Sequence, residues 1–282
     1  MTPTCWVTAK MLRLVSRSRL LILTTCLALI GVGIYWSITD TVRLQRPELS
    51  TGYLLLTVML LPSLFGIRKR LSMLPLGTMA FWTRLHVALG ITLIPLYWLH
   101  VGQIWPGGYY EQVLALLFYL VTASGIIGWT LQKQLPRRLT QAGEEIQFER
   151  ITSAVIECRE QVEQLLKEYQ RSTGSDTLAQ HYIESLSWYF FKPRFLVNHL
   201  VGGAYHEYWW RAKTRAIERY LGDNEKAFLT DLLKLAERKA NIDFHYTLQG
   251  LLKLWLFIHI PAVSALVLLI LWHVALVHIY SI

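Results

Sequence analysis

The sequence predicts an all-α, multi-pass membrane helical bundle of about five spans, with a helical cytoplasmic insertion between spans 4 and 5. Three observations predict it. The 282 residues are 53% apolar and only 17% charged, with a mean hydropathy of +0.33, whereas ordinary globular chains carry roughly 25% charged residues. The apolar residues are gathered into runs long enough to cross a bilayer rather than spread through a core. The basic residues stand beside those runs.

Apolar runs fall at 20–36, 53–67, 85–105, 112–131 and 251–279. The second is short and contains Pro62, so by length it is the weakest of the five, since about 20 apolar residues cross ~30 Å of hydrocarbon. The fifth would reach ~45 Å at 1.5 Å per residue, enough to tilt or to project beyond the membrane. The chain therefore divides into membrane spans 1–4 (residues 1–131), an insertion (132–250) and span 5 (251–282).

Orientation follows from the cations, which are held on the cytoplasmic side near span ends. Lys10, Arg13, Arg17 and Arg19 precede span 1; Arg68, Lys69 and Arg70 follow span 2; Lys133, Arg137 and Arg138 follow span 4. All three clusters fall on one side, while Asp40, Arg43, Arg46 and Glu48 balance one another on the other. This places the amino terminus in the cytoplasm and the carboxyl terminus outside, as in a multi-pass protein of a bacterial inner membrane, with its carboxyl terminus in the periplasm.

The net charge is +9. Of this, the 119 residues of the insertion, with 17 Lys+Arg and 16 Asp+Glu, contribute only +1, so +8 flanks the membrane. The excess is explained by topology and not by a basic face, which excludes a nucleic-acid partner. Cys5, Cys26 and Cys158 form no Cys-x-x-Cys and no Cys-x-x-Cys-His, excluding a disulfide framework and covalent c-type haem.

The insertion reads as helical. Ile151, Val155, Val162, Leu165, Leu166 and Tyr169 recur at helical spacing, as do Phe228, Leu232, Leu233 and Leu235 after Asp223-Asn224, with a break at Gly174-Ser175-Asp176. Ser187-Trp188-Tyr189-Phe190-Phe191-Lys192-Pro193-Arg194 and Tyr208-Trp209-Trp210-Arg211 mix aromatics with cations. That composition suits a membrane interface, and equally a face that docks a partner.

The chemistry lies in the membrane histidines. Span 3 carries His86 and His100, and span 5 carries His259 and His273, so His-x13-His occurs twice. Fourteen residues are two heptads, which in a left-handed bundle puts both members of a pair on one side, ~21 Å apart. Nine histidines make 36 pairs, of which about 0.24 would be fourteen apart by chance; three are. Spans 3 and 5 both run outward, so His86 faces His259 at an inner level and His100 faces His273 at an outer one. Each couple suits one non-covalent haem iron clamped by two neutral imidazoles, within an apolar helix bundle.

The third such pair, His245 with His259, is a control, because the matching position on span 3 is Ser72. His245 is expected at the membrane surface, and His278, five residues past His273, is expected to face elsewhere. His181, His199 and His206 have no metal-ligand spacing. Gly90, one turn above His86, would let a porphyrin lie against the backbone. Arg84 and Lys253 stand on the cytoplasmic side of the inner ligands, placed to pair with propionates or simply to anchor the spans. Tyr97, Trp98, Trp105, Trp255 and Trp272 are candidate cofactor-lining or belt residues.

In carrying His86, His100, His259 and His273, the chain resembles transmembrane di-haem b-type cytochromes over spans 2–5. It is similar to the membrane domain of ferric reductases and NADPH oxidases in placing the ligands on the third and fifth spans. It is similar to the four-helix bundle of cytochrome b in carrying His-x13-His on two parallel helices. The resemblance implies two b-type haems and the passage of electrons across the membrane between a quinone or cytoplasmic donor and an external redox protein, within a respiratory or electron-transfer complex. Partners would be membrane lipid and iron-sulfur, flavin or c-type cytochrome subunits. The chain departs from the first family in ending after span 5 without Gly-x-Gly-x-x-Gly, so no flavin or nicotinamide domain of its own is expected. It departs from the second in lacking Pro-Glu-Trp-Tyr. No acidic residue lies deep in a span; Glu111 comes nearest. The competing class is a non-redox membrane scaffold whose insertion recruits partners. A one-site intramembrane zinc protein would need clustered ligands, not levels ~21 Å apart.

Overall fold

The computed structural model describes residues 3–63, 78–141, 146–174, 176–203 and 205–280, and every regular element among them is helical. The end of the second expected span (64–67), the Arg68-Lys69-Arg70 cluster, Ser72 and Ser175 lie outside the described residues. The chain divides into two compact units, residues 1–129 with 257–282, and residues 130–256.

The first unit is built from α1 (Pro3–Val42), α2 (Pro47–Ser63), α3 (Met79–Val101), the first part of α4 (Tyr109–Gln141) and the last part of a long helix, α10 (Asp223–Tyr280). Four helical stretches among the described residues are long and apolar enough to cross a membrane: Ser18–Val42, Met79–Val101, Tyr109–Thr140 and Glu225–Tyr280. Five spans are expected and four such stretches are found among the described residues; α2 is described over Pro47–Ser63. Leu54, Val58 and Met59 of α2 nevertheless share the core with Leu89, Leu93, Leu96 and Tyr97 of α3, Ala115 and Phe118 of α4, and Leu266 of α10.

Two local features set the boundaries in this unit. Helix α3 stops at Val101, four residues before the apolar run does, because Gly102 adopts the left-handed conformation (φ 70°) and its N–H closes on the Trp98 carbonyl at 2.9 Å. Gly33 lets α1 approach α3: a Cβ there would stand 2.9 Å from Leu96 Cδ2, the close small-residue packing common between membrane helices.

The second unit contains α5 (Ile151–Thr173), α6 (Thr177–His181), a π turn (Tyr182–Leu186), α7 (Ser187–Phe191), α8 (Leu196–Val201), α9 (Tyr205–Glu218) and the first part of α10. The expected α5 stripe is buried at Ile151, Val155, Val162, Leu166 and Tyr169, and Gly174 (φ 68°) ends the helix. Tyr189, Phe190 and Trp210, expected in interfacial motifs, lie in the core instead, while their neighbours Trp188 and Phe191 face outward. Cys158 is fully buried, which lifts its thiol to about 11; it is a packing residue and not a nucleophile.

Candidate functional site

The four paired histidines all lie on helices of the first unit, half-buried. His86 and His100 stand on α3, and His259 and His273 on α10. Their hydrogen bonds decide their chemistry. Nδ1 of His100 lies 3.0 Å from the Glu48 carbonyl and 3.4 Å from Thr51 Oγ1 on α2. Nδ1 of His86 lies 3.2 Å from the Pro62 carbonyl, also on α2. A carbonyl can only accept, so in both rings the proton is on Nδ1 and the lone pair is on Nε2.

His259 reaches the same state through a side chain. Its Nδ1 is 2.7 Å from Ser124 Oγ on α4, and that hydroxyl already donates to the Val121 carbonyl at 2.8 Å. The serine oxygen is therefore the acceptor and His259 the donor. Three of the four rings thus present Nε2 as a neutral nitrogen ligand with the opposite N–H anchored, the arrangement that orients histidines at metal centres. The fourth, His273, is held by stacking. Its ring lies 6.1 Å from that of Tyr110, inclined by 21°. The Tyr110 hydroxyl donates at 2.7 Å to the Leu269 carbonyl, one turn before His273.

His100 and His273 line one cavity of about 470 Å³, walled mainly by apolar residues of α2, α3, α4 and α10, Met59, Tyr97, Phe118 and Leu266 among them. This volume is in the range of sites for organic ligands. Gly52 of α2 forms part of the wall: a Cβ there would stand 2.9 Å from His100 Cε1. His86 and His259 lie fourteen residues before His100 and His273 on the same two helices. Gly125 of α4 backs the His259 ring there, its Cβ position 3.8 Å from Cε1. A Cβ on Gly90 would meet no heavy atom within 4 Å, so there is open space one turn above His86.

The donor set fits a haem held by two imidazoles. Each expected couple draws one ring from α3 and one from α10, and the ring nitrogens whose hydrogen bonds are settled carry the tautomer that ligation needs. Among the described residues no group of three or more His, Cys, Asp or Glu side chains comes together.

The remaining expected residues fall as follows. Arg84 donates through Nε to the Ala80 carbonyl (3.1 Å) and through Nη1 to Ser18 on α1 (3.4 Å). Lys253 belongs to the second unit, where it pairs with Glu149 at 3.0 Å and sits 3.7 Å above the Phe148 ring; the ammonium holds the Glu149 carboxyl below its ordinary range. Tyr97 lines the cavity of His100 and His273, whereas Trp98, Trp105 and Trp272 are exposed. His278 corrects an expectation. It lines the same cavity as His273 and accepts from Tyr53 at 2.6 Å, its own Nδ1–H going to the Val274 carbonyl. The offset of five residues turns it away from the His273 direction, but the cavity is wide enough to meet both. Glu48 and Glu111 also line it, although the sequence places them in the outer loops.

His245, expected at the membrane surface, has its side chain fully buried within the second unit. There its Nδ1 accepts from Gln249 Nε2 at 3.2 Å, and that amide also donates to the Ile146 carbonyl at 2.7 Å. The proton of His245 is therefore on Nε2, opposite to the rings of the first unit.

The α2 contribution was invisible in the sequence, because backbone carbonyls carry no residue signature. Ser124 and Gly52 had one weak signal each, a small or hydroxylated residue in an apolar run. No family model, curated protein or solved structure matches this chain.

Proposed function

We propose that this chain is a transmembrane di-haem b-type cytochrome subunit that carries electrons across a membrane, its amino terminus in the cytoplasm. One observation carries the reading: His100 and His273, from different helices, line one apolar cavity, and the His100 Nδ1–H bond to the Glu48 carbonyl leaves its lone pair on Nε2. A haem with two imidazole ligands supplies one-electron chemistry without a proton or a vacant coordination site. The protein's part is to hold and insulate. His86 with His259, and His100 with His273, supply the nitrogens. The Pro62 and Glu48 carbonyls and Ser124 Oγ keep three of those rings in place and make them more basic. The apolar walls exclude water. Arg84, two residues before His86, is available to a propionate at the inner level.

Fourteen residues set the two ligands of each helix ~21 Å apart, so two bound haems would pass electrons between a quinone or soluble donor on one side and an acceptor on the other. Iron-sulfur, flavin or c-type cytochrome subunits are the proposed redox partners. The test is a reduced-minus-oxidised visible spectrum of the purified protein with a pyridine haemochrome count. Two low-spin b-type haems per chain are expected. Folded protein, expressed with haem available, that carries none would return the chain to the scaffold class.

A further inference from the structure

We infer that α8 and its flanks in the second unit form a lipid-docking surface, seated on the headgroup layer beside the end of span 4. The inference needs the chain to sit in a membrane but does not need haem. Helix α8 is inverted for a helix facing water. Val197 and Val201, four residues apart and so on one face, are 73% and 81% exposed, while the polar residue between them, His199, is 5% exposed and packs against the Phe244 ring. A six-residue helix that turns two valines out and a histidine in is shaped for an apolar or interfacial neighbour.

The surroundings identify that neighbour. Tyr205 and Tyr208 on α9 are 57% and 72% exposed, and the cations Lys192 and Arg211 beside these segments are exposed too. Rings with polar tips and cations on flexible stems are the composition of a bilayer interface, where stems lie among acyl chains and heads reach the phosphates. The placement comes from Arg138. Its guanidinium donates to the Leu200 carbonyl at 2.8 Å and to the His199 carbonyl at 3.0 Å, a cation closing the C-terminal end of α8. Arg138 stands on α4 seven residues beyond Leu131, where the apolar run of span 4 ends. The exposed valines are thereby tied to the stretch of chain that leaves the membrane. Phe195 (φ 55°) before α8 and Gly202 (φ 77°) after it are both left-handed, sharp turns that set the short helix off from its neighbours.

The experiment uses the full chain in vesicles of phosphatidylcholine and phosphatidylglycerol. Cys5 is replaced by Ser, since Cys26 and Cys158 are buried, and a nitroxide is attached at Val201→Cys. Leu27→Cys on α1 and Tyr220→Cys, both at exposed positions, mark the hydrocarbon and water limits. The expected result is a ratio of oxygen to nickel-chelate accessibility at Val201 several-fold above that at Tyr220 and below that at Leu27. A Val201 label as open to nickel as Tyr220, with Leu27 protected, overturns the lipid surface and points to a protein partner on that face. Nickel access at Leu27 as well overturns the membrane reading itself.

Discussion

The two units both bury polar groups inside helical cores and use them in opposite ways. In the membrane unit, His86, His100 and His259 each anchor Nδ1–H on an acceptor, and His100 with His273 opens on a cavity. In the helical unit, buried groups close on one another. Lys239 and Asp243, both with no exposed surface, pair at 2.5 Å; Lys239 also donates to the Lys192 carbonyl at 3.1 Å, and Asp243 accepts from the Arg194 N–H at 3.2 Å. His245, two residues on, carries its proton on the nitrogen opposite to that of the membrane rings. An Nδ1–H fixed on an acceptor leaves the ring's lone pair on Nε2, whereas the accepting Nδ1 of His245 puts the proton there.

The largest effect is expected at the ion pair of Lys239 and Asp243. Lys239→Met leaves a buried carboxylate uncompensated, and should cost about 3–5 kcal/mol, seen as early melting of the helical unit by tryptophan fluorescence. Lys239→Met with Asp243→Leu should recover most of the loss, since a buried pair replaced by apolar groups is often neutral. Full stability in the single variant would show that the pair is not closed in the way described.

A smaller effect is expected at Ser124, whose side-chain oxygen anchors His259 at 2.7 Å and can be removed. Ser124→Ala should weaken haem retention at the inner level by about 10–100-fold, measured as transfer to excess apomyoglobin, with the outer haem unaffected and Ser124→Thr close to wild type. Equal loss from both levels would contradict the assignment of His259 to the inner couple.

What the sequence disclosed and concealed follows from what carries each signal. Apolar runs and the fourteen-residue histidine interval are side-chain patterns, so the long apolar helices and the paired histidines on α3 and α10 could be read. The end of α3 could not, because an apolar run continues past Gly102 while its backbone turns. Spacing alone does not distinguish Lys239 and Asp243 from any other pair four residues apart on a helix; their burial is imposed by Tyr189 and the Lys192–Arg194 segment, distant in sequence. Helical angle turns His278 away from the His273 direction, but an angle gives a direction and not the width of the space it points into. The anchors of His86 and His100 are carbonyls of Glu48 and Pro62, and any residue type could have provided them.

The central claim is the pairing of the rings, and double variants test it most directly through haem per folded chain. Removing one couple, His86→Ala with His259→Ala, should leave one haem. Removing one ring from each couple, His86→Ala with His273→Ala, should leave none. A cross-level variant that keeps a haem, or a same-level variant that loses both, would contradict the two-level arrangement.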